Sequence, residues 1–267
     1  MRVPIFQVDA FAARPFAGNP AAVVVLDAFP DAALMQAVAA ENNLPETAFL
    51  VARDGGYALR WFTPTVEVPL CGHATLASGA VVLERLEPHR ADVVFDTASG
   101  PLTVARDGGA YRMDLPARTV RPVPTPPDLS TALGLVPVET AVDGDNYLAL
   151  LGTADDVRGL APDLAAVARL DRTGVVVTAP GDGPYDLVSR YFAPAKGIPE
   201  DPVTGGAHCA LVPFWAARTG RDVLRAHQAS ARGGELLCRL VRTAEEGGDR
   251  VHLHGACAFY LEGTIEV

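Results

Sequence analysis

The sequence predicts an α/β protein of two pseudo-equivalent domains, each rich in mixed or antiparallel sheet. Three observations carry that expectation. D-G-G-Y-A-L, from Asp54 to Leu59, recurs as D-G-P-Y-D-L, from Asp182 to Leu187. Shortly after each copy, R-W-F-T-P-T-V-E-V-P (Arg60 to Pro69) is matched by R-Y-F-A-P-A-K-G-I-P (Arg190 to Pro199), identical at four of ten positions and with tryptophan facing tyrosine. The offset is about 130 residues, near half of the 267-residue chain, which is the signature of a duplicated fold. Finally, both halves follow the same coarse order of apolar run, helix and further strands separated by D-G turns.

Taken in order, the N-terminal R-V-P-I-F-Q-V-D-A-F reads as a strand without the layout of a signal peptide. The apolar runs Ala22 to Leu26 and Tyr147 to Leu151 read as buried strands. A helix is expected after each, over Asp31 to Asn42 in the first half and Pro162 to Arg169 in the second. Alanine-rich helices are expected over Ala74 to Leu86 and Ala207 to Arg218. The proline-rich stretch from Pro116 to Pro127 reads as the linker between halves. A ligand is expected in the cleft between two such domains.

Composition removes several function classes. A net charge of −10 without any arginine run argues against a nucleic-acid or anionic-membrane surface. No apolar run approaches the ~18 residues of a membrane helix, and a cytoplasmic location is the expectation. Cys71, Cys209, Cys238 and Cys257 are scattered without a C-x-x-C pair, so neither a zinc ribbon nor a disulfide framework is indicated. His252 and His254 share a strand face but bring no further ligands with them, and no metal is expected. The single lysine, Lys196, sits in a proline-bounded turn, unsuited to a Schiff base, and nucleotide-binding glycine motifs are absent. No cofactor is expected.

The stretch V-P-L-C-G-H-A, from Val68 to Ala74, packs a thiol and an imidazole around a glycine at the start of a helix. The repeat aligns it with Ile198-Pro199-Glu200-Asp201 through Gly205-Gly206-Ala207, with a small insertion in the second copy. Glycine at a helix start exposes backbone N–H groups, and the helix dipole favours an anion there. Two such helix starts, at Gly72 and at Gly205-Gly206, could hold a small carboxylate. Glu46 lies in the turn E-N-N-L-P-E-T, and the second half runs R-T-G-V-V-V with no carboxylate at the matching place. A duplicated scaffold that keeps an acid in one copy only has the asymmetry of an acid–base site.

Six motifs occur in order: F-Q-V-D-A-F, F-A-G-N-P-A-A-V-V, L-P-E-T-A-F, R-W-F-T-P, C-G-H-A-T-L-A and E-D-P-V-T-G-G-A-H. On these the chain resembles, over essentially its whole length, the phenazine-biosynthesis PhzF-like isomerase family. The resemblance implies a diaminopimelate-epimerase-like fold: two pseudo-symmetric domains, each a mixed sheet wrapped round a central helix. The Pro116–Pro127 linker sets the expected domains at residues 1–117 and 128–257, and leaves open whether the C-terminal strand 258–267 joins the first. The resemblance also implies a cofactor-independent isomerase of the trans-2,3-dihydro-3-hydroxyanthranilate type, moving a proton on a small carboxylate, and leaves a homodimer open.

By the same resemblance Glu46 is the general base and acid, while Asn19, His73 and Asp201 line the substrate pocket. Gly205 and Gly206 supply backbone donors to a carboxylate, and Gly72 opens the other helix. One departure concerns Gly206, where many relatives have serine; the missing hydroxyl puts substrate identity in question more than the chemistry. Two rival readings stand beside this one. The related epimerases use paired cysteines, and Cys71 aligns with the first of them, so a two-base amino-acid racemase is one alternative. The other is a metabolite-binding protein without turnover.

Overall fold

The computed structural model describes residues 2–243 and 248–267. The chain divides into two compact units, Met1–Leu115 with Leu253–Val267, and Pro116–His252.

In the first unit, β1 (Arg2–Ala10) runs antiparallel to β2 (Asn19–Leu26), an unbroken run of small and β-branched apolar residues buried on both faces. Helix α1 (Ala32–Asn42) follows, started by Asp31, whose carboxylate accepts from the Leu34 N–H at 2.8 Å, and closed by Asn43 in the left-handed region. It returns the chain to β3 (Glu46–Arg53), which pairs parallel to β2, as a helical crossover requires. β4 (Gly56–Phe62) and β5 (Glu67–Val68) add antiparallel strands.

Helix α2 (Gly72–Val81) is built of small residues and packs on β1, β2, β3 and β7. Its residues from His73 to Val81 are all buried, so it is the central helix of this unit. Gly79 permits the close approach: a Cβ there would overlap the Val104 side chain. The helix widens into a π-helical turn over Val82–Leu86, closed by the Glu87 N–H on the Val82 carbonyl. The meander β6 (Asp92–Asp96), β7 (Leu102–Asp107) and β8 (Ala110–Pro116) completes the run, with β6 parallel to β4.

The second unit repeats this plan. β9 (Arg121–Val123) and helix α3 (Pro127–Leu133) precede β10 (Glu139–Asp143) and β11 (Asn146–Leu150). Two short helices, α4 (Ala154–Gly159) and α5 (Leu164–Val167), lead to β12 (Gly174–Pro180), parallel to β11 as β3 is to β2. β13 (Leu187–Ala193) and β14 (Ile198–Asp201) are antiparallel additions, like β4 and β5. The central helix is α6 (Gly205–Thr219), followed by β15 (Val223–Gln228), parallel to β13, and β16 (Gly234–Val241). β17 (Arg250–Gly255) carries the chain back, and β18 (Cys257–Glu266) pairs antiparallel with β1.

Each unit therefore has a sheet with a buried helix on one face and a smaller apolar layer on the other. In the first unit that layer joins Met35 and Ala39 of α1 to Val24, Phe49 and Phe62. In the second it joins Leu129, Leu133 and Val157 to Val175, Val177 and Phe192.

Three expectations need correction. The helix expected over Pro162 to Arg169 is only the single turn α5, and the main turn lies earlier in α4. There Thr153 and Asp156 form a reciprocal capping box, a signal upstream of the expected start. The stretch from Pro116 to Pro127 is not a free linker. The Ala117 and Arg118 N–H groups donate to the carbonyls of Asp249 and Cys209, and Arg121–Val123 pairs with β10. Prolines here cap sheet edges rather than loosen the chain. The unit boundary accordingly falls at Pro116, and the C-terminal segment of the first unit begins at Leu253.

The alignment of the two copies is the third. Phe62 pairs with Glu67 and Trp61 with Val68, whereas Tyr191 pairs with Asp201. Asp201 therefore corresponds to Val68, not to a position beyond it. E-V-P-L-C-G-H-A, from Glu67, superimposes without a gap on E-D-P-V-T-G-G-A, from Glu200. The extra residues of the second copy lie upstream, in the 3₁₀ turn Pro194–Lys196 and its flanks.

Candidate active site

The same register identifies the counterpart of Glu46. Thr47 pairs with Phe62 and Val175 with Phe192, so the residues just before them, Glu46 and Gly174, are equivalent. Each opens its strand at the end where a parallel neighbour begins: Ala21 faces Glu46, and Asn146 faces Gly174. In the second unit that space is filled. A Cβ on Gly174 would come within 2.5 Å of both Asn146 Oδ1 and the Tyr191 hydroxyl, which bond each other at 3.0 Å.

In the first unit, four polar side chains converge on that end. Asn19 opens β2, Glu46 opens β3, Cys71 precedes α2, and His73 is its second residue; all four are buried. The Asn19 amide Nδ2 lies 3.1 Å from His73 Nδ1, and Cys71 Sγ lies 3.5 Å from the same nitrogen. On the far side of the ring, His73 Nε2 and Glu46 Oε2 are 3.1 Å apart. The distance makes an ion pair, and neither atom has any other hydrogen-bond partner. Buried polar groups left this way carry a desolvation cost that a ligand would relieve.

Burial, reinforced by the Glu46 charge, pushes the Cys71 thiol up to about 11, so it is a neutral thiol near pH 7. Burial pulls the His73 imidazolium down, but Cys71 first and then Glu46, both beside the ring, outweigh that and hold its pKa well above 6.5.

In the second unit, Asp201 ends β14 and Gly205 and Gly206 open α6. The Thr204 hydroxyl donates to Asp201 Oδ2 at 2.5 Å. Gln228 locks this turn: its Oε1 accepts from the Thr204 N–H at 2.8 Å, and its Nε2 donates to the Asp201 carbonyl at 2.7 Å. Neither α2 nor α6 has a side chain capping its first N–H groups, which leaves both helix starts with donors for an anion. A Cβ on Gly206 would meet nothing within 4 Å, so crowding does not explain the absence of a serine there.

The structure thus gathers Asn19, Glu46, Gly72 and His73 at one end of the first unit, and Asp201, Gly205 and Gly206 at the equivalent end of the second. Sequence reasoning missed Thr204, Gln228 and Tyr191. Thr204 was legible as the residue before the Gly-Gly pair; Gln228, at the end of β15 and far along the chain, carried no motif. Thr204 also stands where the first unit has Cys71, each being the residue before its helix. Cys209 lies within α6, its thiol facing the Gly205 carbonyl at 3.6 Å.

The family model described as a phenazine biosynthesis-like protein (PhzC-PhzF) matches residues 8–263. A Pseudomonas aeruginosa protein named as an uncharacterized isomerase is 48% identical over 267 residues, covering all of both chains. The crystal structure of a PhzF-family phenazine biosynthesis protein from Enterococcus faecalis aligns with a TM-score of 0.93 at 41% identity, covering 100% of each chain. A hydroxyproline epimerase from Agrobacterium vitis aligns with a TM-score of 0.63 at 12% identity over 99% of this chain and 92% of its own, a likeness of fold alone.

Proposed function

The chain belongs to the phenazine biosynthesis-like family of isomerases, and we propose that it moves a proton within a small carboxylate by acid–base catalysis, without a cofactor. The observation that carries this reading is the buried Glu46 Oε2 beside His73 Nε2, with no other hydrogen-bond partner for either atom, in only one of the two copies of the fold. Glu46 takes a proton from a substrate carbon, breaking the C–H bond, and as the neutral acid returns it to another carbon. The cationic His73 faces the carboxylate that cycles between these forms and holds it in place. Asn19 fixes the His73 ring from its other edge. The helix start at Gly72 offers backbone donors to the substrate's carboxylate, and in the second unit Asp201, held by Thr204 and Gln228, stands beside the matching helix start at Gly205-Gly206.

A two-thiol racemase has less support. It needs a second thiol matching Cys71, and Thr204 stands there. Cys71 itself is a neutral thiol beside a carboxylate, so Cys71→Ala retains most activity on this reading.

The test is solvent exchange. A panel of dihydro-hydroxyanthranilate-like acids and amino acids is incubated in deuterated water and the carbon-bound deuterium measured. Uptake by the wild type that Glu46→Gln abolishes supports the assignment; undiminished uptake in that variant overturns it. Binding of a panel member with no uptake favours a metabolite-binding protein instead.

A further inference from the structure

Glu46, Cys71 and His73 are three different donors, a carboxylate oxygen, a thiol sulfur and an imidazole nitrogen, and the three atoms all lie within 4.8 Å of one another. They come from two places in the sequence, the start of β3 and the start of α2, which is why spacing alone gave no metal motif. All three are buried. Nothing in the scaffold demands them. The copy holds Gly174, Thr204 and Gly206 at the same places on the same strands and helix, and forms its strand, turn and central helix without any of the three donors.

We infer that Glu46, Cys71 and His73 form a site for one thiophilic divalent cation, Zn²⁺, whose binding blocks proton transfer at Glu46. A mixed S, N, O set is what zinc takes, at about 2.0–2.3 Å per bond, and three protein ligands leave the fourth tetrahedral position open. Such bonds space donor atoms by roughly 3.3–3.8 Å, so side-chain rotations of about an ångström close the site around an ion. The sulfur binds as thiolate, releasing its proton to solvent, and a protonated His73 likewise releases one. Cys71 Sγ and His73 Nδ1 already stand 3.5 Å apart, the separation of two ligands on one zinc ion.

The site stands on geometry alone; its effect on turnover rests on the proton-transfer role of Glu46 proposed above. The probe is Co²⁺, then Zn²⁺, titrated into the tag-free, chelator-treated full-length protein. One equivalent of Co²⁺ gives a thiolate-to-cobalt charge-transfer band, and Zn²⁺ bleaches it stoichiometrically. Cys71→Ala and Cys71→Ser lose the band, and Zn²⁺ affinity falls by more than about a hundredfold, beyond the loss expected for a merely supporting group. Cys257→Ala keeps both, and circular dichroism confirms that each variant is folded. A wild-type protein without the band, or a band that persists in Cys71→Ala, overturns the site and leaves the role of Glu46 to the exchange test. A bound ion that leaves deuterium exchange unchanged overturns the blocking of turnover.

Discussion

The starts of β3 and β12 are the same place in two copies of one fold, and they hold opposite things. Glu46 is a buried acid beside an imidazole; Gly174 has no side chain, and Tyr191 and Asn146 close over it. Around them the copies agree. Arg60 grips Glu67 with two bonds of 2.7 and 2.8 Å beneath Phe62, and Arg190 grips Glu200 with two of 2.7 and 3.0 Å beneath Phe192. Thr75 Oγ1 donates to the Cys71 carbonyl at 2.5 Å, where His208 Nδ1 meets the Thr204 carbonyl at 2.8 Å. The clamp that turns each strand toward its helix is common to both. The differences gather at one end: Glu46 against Gly174, Val68 against Asp201, Cys71 against Thr204, His73 against Gly206. A scaffold that folds with either set does not need the titratable one, so those groups answer to function rather than stability.

The largest expected effect comes from erasing that difference. Glu46→Gln keeps the shape but cannot take a proton, so turnover falls by ~10²–10⁴-fold while substrate binding changes little. Steady-state deuterium uptake and equilibrium binding measured side by side check the split, and near-normal uptake would remove the asymmetry of its meaning.

Acid should weaken the second unit at a residue where the first cannot titrate. Burial holds His208 neutral, its pKa lowered from 6.5 to about 4, and Nε2 has no hydrogen-bond partner. Between those values the unfolded chain binds a proton that the folded one does not. Stability therefore falls as pH drops through that window, by on the order of 3 kcal/mol at its foot. Denaturant unfolding from pH 7 to 4 should show this slope in the wild type and a flatter one in His208→Gln; equal slopes refute it. The equivalent Thr75 carries no charge at any of these values.

A smaller contrast separates the two arginine clamps. Arg190 and Glu200 side chains are 12% and 23% exposed, against 31% and 40% for Arg60 and Glu67. Arg190 also donates to the carbonyls of Val157 and Leu160 at the end of α4. Glu200→Gln should cost about 2–3 kcal/mol, and Glu67→Gln about 1 kcal/mol or less, read from urea midpoints. Equal losses would mean that burial does not distinguish the clamps.

Least disruptive is Gly206→Ser, which fits the open space on the first turn of α6. Thermal stability should move by about 0.5 kcal/mol at most, in the stabilising direction. Its readout is the substrate panel: a changed order of deuterium uptake among carboxylates marks position 206 as a selector, and an unchanged order shows that it is not.

The duplication, the α/β class and both central helices were legible in the chain itself. Alternation of burial, small residues at Ala74 to Gly79, and the repeated R-x-F-x-P are local signals, and local signals survive in one dimension. Family motifs carried Asn19, Asp201 and the glycines. The register of the copies was not legible, because Pro199 and Pro202 can each stand opposite Pro69. Only strand pairing shows that Asp201 takes the place of Val68 and Thr204 that of Cys71. The second short helix went unseen because its capping box lies outside the apolar run. Gln228, the Tyr191–Asn146 plug and the three-donor cluster at Glu46, Cys71 and His73 were decided by tertiary structure alone. Each depends on residues from separate strands meeting at a common sheet end, and no spacing along the chain encodes such a meeting.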